Sequence, residues 1–323
     1  MQFEHWHGKR YYSLDAYIKN TYGEKMYRIS LNGGMTCPNR DGTCGTGGCI
    51  FCSEGGSGDF AGAAFRSVTE QIDNGKTLLR KKTKCRKFIA YFQAFSNTYA
   101  PTDRLRSLYM EAVSHPDVAI VSIATRSDCM DDDIIELLCE INRIKPVWIE
   151  LGLQSIHPAT HEFIQSGVSL SCFETAVWKL QQRSLPVICH VILGFPGETR
   201  EQMLETVRYA ASGPFAGIKI HKLFILHHTR LGEYYQKHPF PIMNEEEYCE
   251  LIADCLELLP PQMVIHRLTG DGPKKLLIEP QWTTRKLTVF NRIQQTLEER
   301  NTWQGKYFRK EDAIWPTPRL YTN

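Results

Sequence analysis

Six short runs with strand-like patterning recur between residues 27 and 224, and helix-period patterns separate most of them. Tyr27-Arg28-Ile29-Ser30-Leu31 alternates like a first strand. Phe88–Phe92, Val118–Ile123, Val147–Gly152, Pro186–Leu193 and Gly217–Phe224 follow as nearly continuous apolar runs. Ser67, with Glu70 three residues on, has capping-box spacing and opens a helix to about Lys82. Thr102-Asp103 opens a helix through Val113, and Asp131-Asp132-Asp133 one to about Arg143, with its acids at the positive helix end. Further helical patterns lie near 158–165, at 171–183, and from Glu198-Thr199 to Ala211.

Apolar strands separated by helices imply a parallel sheet covered on its outer face. Six such units predict an α/β fold, an open or partial (β/α)6 barrel, whose reactive groups collect at the carboxyl ends of the strands. After residue 225 the order changes to a helix at 244–259, a strand at Met263–His266, the turn Thr269-Gly270-Asp271-Gly272-Pro273, and a helix from about Thr283 to Arg300. The predicted organisation is therefore a lead-in over 1–24, a core over 25–228 and a C-terminal α/β extension over 229–323.

Composition narrows the class. With 323 residues, 42% hydrophobic and 23% charged, the chain can bury a large core. Its first residues lack a basic end followed by an apolar run, and no stretch approaches membrane-spanning length, so a cytoplasmic protein with no membrane partner is expected. Eleven cysteines without a secretion signal favour thiolate ligation over a disulfide framework. The net charge of +2 is unevenly spread: Arg80–Lys87 holds six cations in eight residues, and Val264–Asn323 carries eleven Lys and Arg against six Asp and Glu. Trp282, Trp303, Tyr307, Phe308 and Trp315 are interleaved with that basic tail. Cations neutralise phosphates and aromatics stack on exposed bases, which points to a nucleic acid.

Four cysteines cluster in a glycine-rich stretch just past the first strand. Cys49 and Cys52 form a Cys-x-x-Cys pair, with Cys37 upstream and Cys44 between. Two metal readings follow. Four thiolates would close a tetrahedral zinc site, while Cys37, Cys49 and Cys52 alone would hold an iron-sulfur cluster with one open iron. The wide spacing of Cys37 and Cys44 favours the cluster, and an open iron allows S-adenosylmethionine to bind and be cleaved by one electron.

The sequence resembles radical S-adenosylmethionine enzymes of the YhcC/YtqA type, relatives of the elongator catalytic subunit without its acetyltransferase domain. The resemblance is carried by Cys-Pro-Asn-Arg-Asp-Gly at 37–42, Gly-Gly-Cys-Ile-Phe-Cys at 47–52 and Tyr-Phe-Gln-Ala-Phe-Ser-Asn-Thr at 91–98. It continues through Ala-Thr-Arg at 124–126, Glu-Leu-Gly-Leu-Gln at 150–154, Gly-Phe-Pro-Gly-Glu at 194–198 and His-Arg-Leu-Thr-Gly-Asp-Gly-Pro at 266–273. Residues 165–169, Ser127 and His228-Thr229 depart from the usual pattern.

That resemblance implies a radical S-adenosylmethionine barrel whose [4Fe-4S] ligands are Cys37, Cys49 and Cys52, with Cys44 outside the set. It places Phe51 along the cofactor's adenine, and Gln93, Ser96 and Asn97 against its methionyl amino end. Arg126 is expected to grip a carboxylate, Glu150 and Gln154 to meet the ribose or amino group, and Gly194 to let the backbone approach adenine. The implied substrate is tRNA, with the wobble-uridine substituent remodelled from carboxymethylaminomethyl to aminomethyl and an electron donor such as flavodoxin or ferredoxin. Lys81, Lys82 and Lys84 are candidate phosphate contacts, and His266, Arg267 and Asp271 candidate substrate contacts. The rivals are a radical enzyme acting on a small metabolite and a zinc-stabilised RNA-binding protein.

Overall fold

The computed structural model describes residues 2–316 apart from 57, 59, 60, 63, 65, 81, 82 and 271. Two helices, α1 (Gln2–His5) and α2 (Leu14–Tyr22), lead into β1 (Tyr27–Leu31). Then come α3 (Val68–Arg80), β2 (Phe88–Phe92), α4 (Thr102–Ser114), β3 (Val118–Thr125), α5 (Asp132–Ile144) and β4 (Val147–Gln154). Two helices, α6 (Pro158–Ile164) and α7 (Leu170–Gln182), precede β5 (Val187–Leu193), α8 (Arg200–Ser212) and β6 (Gly217–Lys222). The chain continues through β7 (Ile225–Leu226), α9 (Arg230–Lys237), α10 (Glu245–Leu258), β8 (Val264–Arg267), β9 (Leu277–Glu279) and α11 (Lys286–Glu299).

β1 to β6 pair in chain order, every pair parallel, and β8 adds a seventh parallel strand beside β6. The sheet curls into a half-barrel, as the alternation predicts. Two details differ from the sequence reading. The strand expected in the C-terminal extension belongs to the barrel sheet, and β7 and β9 make a separate antiparallel pair too short to leave a period in the sequence. The predicted capping box is present, with the Ser67 N–H donating to Glu70 and the Glu70 N–H to Ser67 Oγ.

Strand parity explains the interior. Outward residues such as Leu31, Phe92, Ile123, Leu151, Val191 and Ile220 are buried beneath the helices in one core that also takes in α10 and α11. Inward residues are stacked in layers, because alternate side chains face the same side of a strand. At the amino end Ile89, Ile120, Trp148 and Ile188 close the barrel, with Ile18 of α2 packed among them as a stopper. Two residues further along each of these strands, the inward positions are Tyr91, Ser122, Glu150 and His190. The next inward positions, including Gln93, Ala124, Gly152, Ile192 and His221, line an open cavity, as does Ser30 level with Tyr91.

Candidate active site

The cavity has a volume of about 480 Å³ and lies at the carboxyl ends of the strands. Cys37, Cys49 and Cys52 are all half-buried in its wall. The loop that carries them is fastened at several points. The Cys52 N–H donates to the Cys49 carbonyl at 3.0 Å, closing a tight turn. Within that turn the Ile50 N–H donates to Ile164 O at the end of α6, and the Leu231 N–H of α9 donates to Ile50 O. Asn39 directs its Nδ2 at Cys49 Sγ, 3.7 Å away, and at Gln165 O, 2.7 Å away.

Three arginines brace the same loop through backbone carbonyls. Arg40 donates to Cys52, Ser53 and Glu54, Arg104 to Gly33 and Gly34, and Arg230 to Gly48 and the Gln165 side chain. Guanidinium suits this task because its planar fork reaches two carbonyls at once. Gly48 is required where Arg40 folds back: φ is +78°, and a Cβ there would lie 2.7 Å from Arg40 Nε. Gly56, at φ +57°, clears the Phe95 ring in the same way.

The donor set fits an iron-sulfur cluster. Three soft thiol ligands face one cavity, an amide N–H points at one sulfur, and the surrounding arginines suit a centre made anionic by its thiolates. Among the described residues no three His, Cys, Asp or Glu side chains converge on a single ion position. A cluster does not require that, since each thiolate takes its own iron. Cys44 is exposed and turned to Asp128, 3.9 Å from Oδ2.

Below the thiols lies a buried polar network. Glu150 receives Ser122 Oγ at 2.6 Å and His190 Nε2 at 2.8 Å, contacts the Lys219 ammonium, and has Arg28 at 4.0 Å. Burial by itself raises a carboxyl, but Lys219, His190 and Arg28 outweigh it and hold Glu150 well below the ordinary range. Burial, then the Lys219 charge, pushes His190 down to about 4, so the neutral imidazole donates to Glu150. His221 is held low by burial and Arg267, and His266 by burial and Arg28. Tyr91 receives Lys219 Nζ at its hydroxyl, 3.1 Å away, and Arg28 donates to His266 Nδ1 at 3.0 Å.

Of the residues singled out from sequence, Phe51, Gln93, Ser96, Arg126, Glu150, Gln154 and Arg267 line this cavity together with the three cysteines. Gln154 adopts φ +64° where the β4–β5 register shifts, which aims its side chain at the space. Arg126 spends its guanidinium on a bidentate pair with Asp128 and a bond to Ser166 O. It thereby ties the departing 165–169 stretch to the end of β3. Asn97 is wholly buried and ties the β2 end to Ala124 O. Gly194, at φ +94°, lines a neighbouring cavity of about 490 Å³ that shares Lys222 and Leu223 with the first.

Other sequence candidates lie elsewhere. His266 is buried against Trp148 and Arg28. Lys84 is exposed just before β2, and Arg86 beside it faces Glu24, so these two residues stand at the amino ends of the strands, opposite the cavity. Lys81, Lys82 and Asp271 lie outside the described residues. Trp303, Phe308 and Trp315 pack against the protein, as does Trp282, which donates to Met243 O, while Tyr307 is exposed. Sequence reasoning missed Arg28, Tyr91, His190, Lys219 and His221, although each strand showed its one or two polar residues at inward parity.

Residues 40–210 match the Radical SAM superfamily and residues 215–299 the Radical_SAM C-terminal domain. The chain is 41% identical over 302 residues to YtqA of Bacillus subtilis, covering 94% of each. It is 33% identical over 283 residues to YhcC of Escherichia coli, covering 87% of this chain and 90% of that one. A tRNA uridine(34) acetyltransferase of Methanocaldococcus infernus is 26% identical over 52% of this chain but only 32% of its own length. The structure of Elp3 from M. infernus superposes with a TM-score of 0.64 at 15% identity, covering 86% of this chain and 64% of that one, and so shares the fold. With the cysteine loop at the mouth of a curled parallel sheet, these matches establish that the chain is an enzyme of the radical S-adenosylmethionine superfamily, in the group that includes YtqA and YhcC.

Proposed function

We propose that this enzyme acts on tRNA, remodelling a wobble-uridine substituent from carboxymethylaminomethyl to aminomethyl. The observation that carries the reading is the build of the cavity, with three thiols at its mouth and charged, hydrogen-bonding side chains from all the inner strands at its closed end. Such an inner surface suits a polar substituent, because an apolar guest would leave those groups without solvent or partner. The partial match to proteins named tRNA uridine(34) acetyltransferases supports the choice of nucleoside.

Cys37, Cys49 and Cys52 would hold a [4Fe-4S] cluster, the partner of S-adenosylmethionine in this chemistry. Such a cluster with S-adenosylmethionine and a donor such as flavodoxin or ferredoxin would supply hydrogen-atom abstraction from carbon. Arg40, Arg104 and Arg230 keep the loop in register, and Phe51, Gln93, Ser96 and Gln154 shape the adjoining wall. Glu150 and Lys219 form a pair that fixes Tyr91 and His190 beneath the reacting group.

Nucleoside analysis of tRNA from cells lacking the gene tests the reading. One carboxylated wobble species is expected to accumulate, the wild-type gene to clear it, and Cys49→Ala to fail. An unchanged nucleoside profile, or full clearance by the Cys49→Ala protein, overturns it.

A further inference from the structure

The closed end of the cavity gathers more basic side chains than it has acidic partners for among the described residues. Arg28, Lys219 and Arg267 face inward, with Glu150 as their one carboxylate among the described residues. Glu150 is already saturated by Ser122, His190, Lys219 and Arg28. Arg28 is also engaged with His266. Arg267, beside Lys219 across the β6–β8 register, lines the cavity and makes no hydrogen bond or ion pair among the described residues. His221 lies two residues beyond Lys219 on the same strand, with its ring 5.4 Å from that of His190. Its Nε2 is buried and has no hydrogen-bond partner.

We infer that Arg267 and His221 form a receptor for a carboxylate on the substrate, seated at the closed end of the cavity beneath the three cysteines. A guanidinium takes a carboxylate in two parallel bonds, and the Nε2–H tautomer of His221 adds a third donor. A backbone phosphodiester is flanked by sugars on both sides, whereas a carboxylate that ends a slender side chain reaches a closed floor. Arg267 is half-buried in the cavity wall with no counter-charge beside it among the described residues, and an anionic guest completes the arrangement. The inference rests on the tRNA reading for the identity of that guest: the terminal carboxylate of the carboxymethylaminomethyl group. Arg267 and His221 would then select the carboxylated substituent over the aminomethyl product, which has lost the anion.

The test uses anaerobically reconstituted holoenzyme and tRNA bearing carboxymethylaminomethyluridine. Arg267→Gln is expected to raise KM for this tRNA about 10- to 100-fold, the range for losing a hydrogen bond with a charged partner, and Arg267→Lys to recover part of the loss. Affinity for S-adenosylmethionine, measured by equilibrium dialysis, is expected to stay unchanged. An unchanged KM in Arg267→Gln while the wild type converts the nucleoside overturns the receptor and leaves the tRNA reading intact. A parallel fall in S-adenosylmethionine affinity also overturns it, because the carboxylate held is then the cofactor's own. If the wild type leaves the nucleoside untouched, the tRNA reading fails by itself, and calorimetry with N-methylglycine decides the receptor. Binding to wild type that Arg267→Gln abolishes upholds it, and no binding to either protein overturns it.

Discussion

His190 shows how a single side chain couples this interior to pH. Burial and the neighbouring ammonium keep its ring neutral down to about 4, whereas in the unfolded chain it takes up a proton near the ordinary histidine value of about 6.5. The unfolded state therefore binds more protons in that window, and stability is whole above it and lost as pH falls. His221 and His266 act with the same sign. The depressed Glu150 carboxyl contributes fully above its ordinary unfolded value and loses that contribution as pH falls from there through its folded value. Urea unfolding of the cluster-free protein is expected to show a loss approaching about 1.4 kcal/mol per pH unit per buried histidine below about pH 6.5. His190→Gln should remove one histidine's share of that slope, and an undiminished slope would contradict the assignment.

Among elements, the cysteine loop depends on helices far away in sequence. α6 supplies the carbonyl that receives Ile50, and α9 supplies both the Leu231 N–H and Arg230. α9 went unread in the sequence, since Gly232 and paired tyrosines blur its period, yet Thr229 caps it by accepting from the Gly232 N–H. Removing a charged donor to a buried carbonyl costs about 1.5–3 kcal/mol. Arg230→Ala is therefore expected to lower the iron and sulfide retained per chain several-fold after anaerobic reconstitution. Its far-ultraviolet circular dichroism should stay that of the wild type. Full iron content in this variant would show that the loop holds its shape without the brace.

For the whole molecule, the two ends of the barrel have different work. The amino end is stoppered by α2 and an apolar layer, and the carboxyl end holds the cavity and the thiols. Lys84 and Arg86 belong to the first end, so their charge reads as a solvated approach to β2. Lys84→Glu is expected to leave tRNA affinity and its salt slope unchanged in a fluorescence titration. A weaker affinity with a flatter slope would mean that RNA spans the amino end as well. The described helices include none long and apolar enough to cross a membrane.

The sequence by itself determined the order of elements, the parallel sheet and the cysteine loop, because hydrophobic period, capping residues and ligand spacing are all local along the chain. It also brought most of the cavity residues together, since each follows a strand and parallel strands end side by side. Only the tertiary structure decided that the fourth cysteine turns away to Asp128, that Arg126 is spent on its neighbour, and that the tail's tryptophans pack inward. It alone gathered Arg28, Tyr91, Glu150, His190 and Lys219 into one buried network, with the His221 ring beside it. One or two polar residues in an apolar strand look like exceptions until sheet curvature turns their shared face into the inside of a barrel.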